Sequence, residues 1–245
     1  MSVEAFYDGL APHYHLVYED WEGAVERQGA ALDALLRAFC GDRELEILDC
    51  ACGIGTQALG LAAHGHRVTG SDISAAALER AGVEAAGRGL DIRFLRADFR
   101  ELAIDGDFDA VLAFDNALPH LLDPADLPRA LHAMHARIRP GGLLVTSIRD
   151  YDEALRERPR LAAQELPGPP RRVVVRLHEW DDDAPTYTAR FLVAVEEEQG
   201  WTLHEHATRY RAVTRRELEG ALAATGYTDL RWHDGFHQPV VTARS

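Results

Sequence analysis

The chain has 245 residues, 47% of them apolar, enough for one large α/β unit with a sizeable buried core. A formal charge of −14 and a pI near 5.2 set a field that repels phosphate backbones and anionic membranes. With no run of Lys and Arg interleaved with aromatics, the expected partner is a small molecule, not nucleic acid or a membrane, and a homo-oligomer stays open. No stretch reaches the roughly 18 to 20 apolar residues of a membrane helix. The N-terminus MSVEAFYDGL shows no basic-then-apolar leader, and Cys40, Cys50 and Cys52 are an odd set, so the expectation is a cytoplasmic protein with free thiols.

Taken in chain order, residues 1–40 read as an N-terminal helical lid, with residues 23–39 amphipathic and Val25, Ala31, Leu32, Leu35, Leu36 and Phe39 on the buried side. Residues 41–150 read as a cofactor-binding core. Strand candidates EILDC, RVTGSD, IRFLRAD, FDAVLAFD and GLLVTSIRD alternate with helical stretches, the order of a parallel sheet wrapped by crossover helices. The helical signals are Ala58, Leu59, Leu61 and Ala62, then Ser74 as a cap before AAALERA, then residues 127–138. Residues 151–212 change texture: a polar, Pro-rich connector (RERPRLAAQELPGPP) precedes VVVRLHEW, YTARFLVAVE and WTLHEHATRYR, three candidates for a small antiparallel accessory sheet. In residues 213–245, Thr214 and Glu217 fit a reciprocal helix cap, Gly226 a stop, and YTDLRWH and PVVTAR two last strands. With no internal repeat, residues 1–245 read as a single unit.

The strongest motif runs from Glu46 to Thr56 (EILDCACGIGT), a strand feeding a Gly-x-Gly turn and a helix. Gly53 and Gly55 let the backbone turn sharply and approach a ligand at the carboxyl edge of the sheet, where open α/β folds bind cofactors. The third glycine of the dinucleotide pattern is missing. Asp49, at the strand end, suits a cationic α-amino group and opposes a phosphate at the same spot, which favours S-adenosylmethionine over NAD. Asp72 ends the second strand and can take both ribose hydroxyls; Asp98 ends the third, placed for an adenine amino group with Phe99 or Leu102 over the ring. Each acid alone is as readily a helix cap or turn former; three in order at strand ends make a nucleoside site.

On these motifs the sequence resembles class I S-adenosylmethionine-dependent methyltransferases, and within them the glycine and sarcosine N-methyltransferase group. FDNALPHL (114–121), SIRDYD (147–152) and DGFHQP (234–239) are similar to segments of that group, with Asp115 where the group has glycine. The resemblance implies a Rossmann-like fold: a mostly parallel seven-stranded sheet with helices on both faces. It implies S-adenosylmethionine as cofactor, leaving as S-adenosylhomocysteine, and methyl transfer to an amine of a small, carboxylate-bearing acceptor. Tyr18, Asn116 and His120 would serve catalysis; Asn116, Arg149 and Tyr151 would bind the substrate. Asp49, Ala51, Gly53, Gly55, Asp72, Ile73, Asp98, Phe99, Asp115 and His120 would line the cofactor site. Independently of the family, Arg149 at the end of the fifth strand is suited to fork onto a carboxylate, the alternative being an ion pair with Asp150, Asp152 or Glu153. His120 is the nearest candidate base, ahead of His237 and His15.

Other readings remain at this level. An amino sugar or a natural-product amine or hydroxyl could be the acceptor; more remote are a nicotinamide-dependent oxidoreductase and a cofactor-binding protein without turnover. The pairs His13 and His15, His64 and His66, and His204 and His206 invite a metal, but no Cys cluster or acidic triad joins them at ligand spacing, so no metal is expected.

Overall fold

The computed structural model describes residues 2–245. The chain opens with helix α1 (Val3–Leu10), a one-turn helix at Tyr14–Val17 and helix α2 (Trp21–Cys40). Strand β1 (Glu46–Asp49), α3 (Thr56–Ala63), β2 (Arg67–Asp72), α4 (Ala75–Gly87), β3 (Arg93–Arg96), β4 (Phe108–Ala113), α5 (Asp126–His135) and β5 (Ile138–Ser147) follow. After α6 (Tyr151–Glu157) come β6 (Leu161–Leu166), β7 (Arg172–Trp180), β8 (Thr186–Glu197) and β9 (Gly200–Arg211), then α7 (Arg215–Ala224), β10 (Thr228–His233) and β11 (Val240–Arg244).

Two sheets result. The larger has seven strands in the order β10-β11-β5-β4-β1-β2-β3, parallel except for β11, which runs antiparallel to both neighbours. Its central strands are apolar on both faces because helices cover both. Leu48, Val111 and Leu144 pack with Leu131 and Met134 of α5 and Leu218 and Leu222 of α7, while the alternate residues Ile47, Leu112 and Val145 pack with Leu32 and Leu36 of α2 and Leu61 of α3. This is the period-two alternation of a strand in a three-layer stack. Helix α2 approaches α3 closely: a Cβ on Gly29 would lie 2.6 Å from the Gly60 Cα, so Gly60 serves helix packing and not a pyrophosphate.

The smaller sheet is antiparallel, ordered β6-β7-β8-β9. It has four strands, not the three expected, because the segment read as a Pro-rich connector supplies β6 as well as the end of α6. Residues 161–165 are exposed, so β6 carries no hydrophobic alternation to announce it. Two local expectations also shift, and a third, the Gly226 stop, does not. Helix α5 ends at His135, and Ile138 already pairs with Phe108; the Arg139-Pro-Gly-Gly142 segment is a bulge inside β5, after which Leu143 pairs with Ala110. Thr214 accepts from the Glu217 N–H at 3.2 Å, but the Glu217 carboxylate takes Arg211 instead of returning to the cap, so the reciprocal box is half made. Gly226 stops α7 at φ 95°.

Candidate active site

The turn after β1 places the backbone against a cavity of about 300 Å³ at the carboxyl edge of the seven-stranded sheet. Gly55, at φ 95°, caps α3 without a side chain, a conformation that favours glycine. Asp72 ties the turn to β2: one carboxylate oxygen accepts from the Gly53 N–H at 2.8 Å, the other from the Ser74 N–H at 2.9 Å. Ala51, Gly53, Asp72, Ile73, Phe99 and Asp115 line the cavity, and His120 closes it.

Several acids take different stations from those expected. Asp49 is fully buried behind the turn and does not line the cavity; one of its oxygens has no hydrogen-bond partner. Burial, with Asp72 and Asp115 nearby, pushes its carboxyl up to about 8, and burial likewise raises Asp72. Asp98 lines the cavity, but both its oxygens are held by the Arg100 guanidinium at 2.6–3.0 Å, which outweighs its burial and lowers it. The acid is therefore committed to Arg100, which also pairs with Asp126 at 2.9 Å, rather than standing free for an adenine amino group. Leu102 is buried in the core, leaving Phe99 as the apolar cover.

Asn116 and Tyr151 are 1% exposed and line neither this cavity nor its neighbour. Asn116 Nδ2 donates to the Tyr151 hydroxyl at 2.9 Å, and its Oδ1 accepts from the Arg149 N–H at 3.1 Å. The two residues stand behind Arg149 and hold it, in place of the direct contacts expected of them. His120 shares a 2.8 Å hydrogen bond with the Tyr7 hydroxyl and lies 4.3 Å, ring centre to ring centre, from Tyr210; burial drives it down to about 3, so it is neutral.

Asp115 and Asn116 follow β4 with φ of 53° and 67°, both left-handed. Asp and Asn tolerate this region better than other non-glycine residues, which accounts for an acid where the related group has glycine. The Asp115 carboxylate accepts from Gln57 Nε2 at 3.0 Å and the Tyr18 hydroxyl at 3.3 Å, and pairs with His237 Nε2 at 2.6 Å. This hydrogen bond raises His237 above the ordinary histidine value. Stability from the pair is then present below the unfolded histidine pKa, roughly 6.5, and lost as pH rises through the folded one. Asp115→Asn should return the His237 titration toward the ordinary value, read by imidazole NMR, and the stability gap between the two proteins should narrow as pH rises past that window.

A second cavity of about 590 Å³ adjoins the first, with Tyr7, Tyr14, Tyr18 and Asp115 lining both. It lies between the N-terminal segment, the C-terminal loop and the four-stranded sheet, and its remaining wall includes Arg149, Gln164, Arg176, Tyr210 and His237. Arg149 donates to the Tyr187 hydroxyl at 3.2 Å and stacks over Tyr210 at 5.4 Å, and no carboxylate pairs with it among the described residues; the alternative of an ion pair with Asp150, Asp152 or Glu153 is not realised. Tyr7, Tyr14, Gln164 and Arg176 were not identified from sequence. Tyr7 and Tyr14 sit in the segment read only as a lid, and Gln164 and Arg176 face the cavity only because the accessory sheet folds over the core.

The paired histidines serve packing. His13 stacks on His204 at 3.7 Å, fixing the N-terminal segment to β9, and His66 meets Asp33 at 2.8 Å between the α3–β2 turn and α2. Among the described residues no group of three or more His, Cys, Asp or Glu side chains is arranged to hold a metal ion. Cys50 and Cys52 are free and buried, and burial raises both thiols.

A family model described as a methyltransferase domain matches residues 47–142, the stretch from β1 to the β5 bulge. Those residues match a methyltransferase domain, and the chain as a whole has the fold of class I methyltransferases. A glycine/sarcosine N-methyltransferase of Parasynechococcus marenigrum is 33% identical over 138 residues, 56% of this chain and 48% of that protein. The chain spans about half the length of the curated relatives it matches. A crystal structure of an S-adenosylmethionine-dependent methyltransferase from Clostridium acetobutylicum superposes with a TM-score of 0.76 at 15% identity, covering 89% of this chain and 91% of that one. An amino pentose methyltransferase from Micromonospora echinaspora, with S-adenosylmethionine bound, gives 0.74 at 21% identity, covering 90% and 91%.

The cofactor of this class is S-adenosylmethionine, and the methyltransferase site has the donor set for it. Asp72 is a buried carboxylate on the cavity wall with no cation among its neighbours, and an orphaned oxygen of Asp49 lies behind the turn, a negative lining that suits a positively charged amino-acid nucleoside. A pyrophosphate would face Asp72 and Asp115, neither of them paired with an arginine, across the same space. Asp72 has lone pairs left for ribose hydroxyls, and Ile73 and Phe99 offer apolar cover for a base.

Proposed function

We propose that the protein methylates an amine nitrogen of a small, carboxylate-bearing acceptor, using S-adenosylmethionine. One observation carries this: Arg149 is a half-buried cation without a carboxylate partner among the described residues, and it faces the chamber that shares a wall with the cofactor cavity. A guanidinium so placed calls for an anion, and its planar fork matches a carboxylate. The relatives named as glycine/sarcosine N-methyltransferases agree with an amino-acid acceptor. The amino pentose methyltransferase keeps a sugar amine as the second reading, favoured by a chamber of about 590 Å³, roomier than glycine requires.

When bound, S-adenosylmethionine would supply an electrophilic methyl group on a sulfonium, open to in-line attack by the amine lone pair with the sulfur leaving as the neutral thioether of S-adenosylhomocysteine. The chain's own residues then have two tasks. They must align the acceptor, which falls to Arg149, held by Asn116 and Tyr187, and they must receive the amine proton. Proton acceptance is assigned to the Asp115–His237 pair over His120, because both members line the acceptor chamber while His120 lines only the cofactor cavity.

The cofactor half is tested by melting. S-adenosylhomocysteine at a hundredfold excess over its dissociation constant should add about 2.7 kcal/mol, raising the melting temperature by roughly 5–10 °C, whereas NADH should leave it unmoved. A reversed pattern would mean a nicotinamide enzyme. The acceptor half is tested by offering labelled cofactor with amino acids, amino sugars and polyamines and locating the methyl group by mass spectrometry; methylation confined to sugars or to hydroxyls overturns it.

A further inference from the structure

Two guanidinium groups on the wall of the acceptor chamber, Arg149 and Arg176, stand without a carboxylate partner among the described residues. Arg176 sits in the middle of β7, paired with Ala162 of β6 on one side and Phe191 of β8 on the other, so its backbone is fixed within a sheet. Its side chain lines the chamber with Arg149, and the groups that act on it are Arg149, Tyr14, Tyr18 and Tyr210, with no carboxylate among them. The other arginines of this sheet are all engaged. Arg172 donates to the Tyr18 and Glu19 carbonyls, Arg190 pairs with Glu179 and Glu205, Arg209 with Asp181 and Arg211 with Glu217. Arg176 is the exception, and it is the one that faces the chamber.

Two unpaired guanidinium groups in one partly enclosed space repel each other and are poorly hydrated, which a protein tolerates where a ligand brings the missing charge. The reacting amine must be neutral to offer its lone pair, so an acceptor with one carboxylate brings a single negative charge against two positive ones. Asp115, the acid on the shared wall, is already engaged by His237. Resting on the reading of an amine acceptor held by Arg149, we propose that the acceptor carries a second anionic group, received by Arg176. The class is amino acids with an acidic side chain, a carboxylate or a phosphate. Arg149 forks the α-carboxylate, Arg176 takes the distal acid, and the amine between them faces the wall of Tyr14, Tyr18 and Asp115.

Paired ligands test this on the full chain saturated with S-adenosylhomocysteine: the isosteres L-glutamate and L-glutamine, the isosteres L-aspartate and L-asparagine, and O-phospho-L-serine against L-serine. Calorimetric binding should favour the acidic member of at least one pair by tenfold or more, and which pair responds separates a carboxylate from a phosphate. Arg176→Met should collapse that ratio to within about twofold, and Arg176→Lys should restore part of it. Equal binding within every pair, or a ratio that Arg176→Met leaves intact, overturns the proposal; so does equal weakening of both members, which would mean that the two arginines grip one carboxylate. The same pairs offered with labelled S-adenosylmethionine separate the two readings. Methylation of single-acid amines without preference for a second acid defeats this inference alone, while no methylation of any carboxylate-bearing amine defeats the reading beneath it.

Discussion

Asp72→Ala is expected to weaken S-adenosylhomocysteine binding at least a hundredfold without unfolding the protein. The carboxylate makes two charge-assisted bonds, to the Gly53 and Ser74 N–H groups, and these hold the glycine turn against the end of β2. It also offers the cavity its remaining lone pairs. Bonds to a charged group contribute about 1.5–3 kcal/mol each, and every 1.4 kcal/mol is tenfold in affinity, so losing two ligand bonds and the pre-set turn reaches the hundredfold mark. The fold should survive because Asp72 is destabilised by its own burial, and removing it relieves that cost while the strand ladder to β1 and β3 stays intact. Asp72→Asn, which keeps one acceptor oxygen and loses the charge, should fall between the two proteins. Titration calorimetry with a parallel thermal melt decides it; a loss smaller than threefold would mean that the nucleoside is held elsewhere.

The same residue shows what can be read before folding. Asp72 was legible because β2 ends in a buried run whose last residue is an acid, and only a ligand or a cap makes that worthwhile; it ties down the Gly53 turn and the Ser74 N–H, and it lines the cavity. Strands β1, β4 and β5 were legible for the same reason, being apolar on both faces in a pattern that no surface strand shows. Strand β6 was not, since its residues 161–165 face water and its flanks contain prolines. Asp98 misled because its partner, Arg100, is two residues away, close enough in sequence to be overlooked as a competitor for its oxygens. Helix α1 had a usable signal in Phe6 and Leu10, one turn apart and both buried, with Ser2 accepting from the Ala5 N–H at 3.1 Å. Asn116 was placed in the site by resemblance and stands one layer behind it, a distinction that only the course of the chain after β4 reveals. Arg176 and Gln164 carry no local mark at all, because their place on the chamber wall comes from the fold of one sheet over another.

Arg149→Met should lower kcat/KM for the true acceptor by about thirtyfold or more, the consequence of leaving a buried carboxylate without its partner at 2–5 kcal/mol. Most of the loss should fall on KM, which rises at least tenfold, because the carboxylate is distant from the reacting bond and is gripped as tightly in the ground state as in the transition state. Arg149→Lys keeps the charge but not the fork and should recover only part of the affinity. Stability should move the other way. With no acceptor present, Arg149 is a half-buried cation supported by one hydroxyl and the face of Tyr210, and the methionine fills its space without that desolvation penalty. Tyr187 keeps a partner in Tyr151, whose hydroxyl lies 3.1 Å away, so the substitution strands no polar group there. The variant is therefore expected to melt higher than the parent by an amount equivalent to about 1 kcal/mol while turning over far more slowly, the relation expected of a residue kept for binding at the expense of stability. If it melts lower and its KM is unchanged, Arg149 is a structural member of the tyrosine cluster and the acceptor's acid must be sought elsewhere.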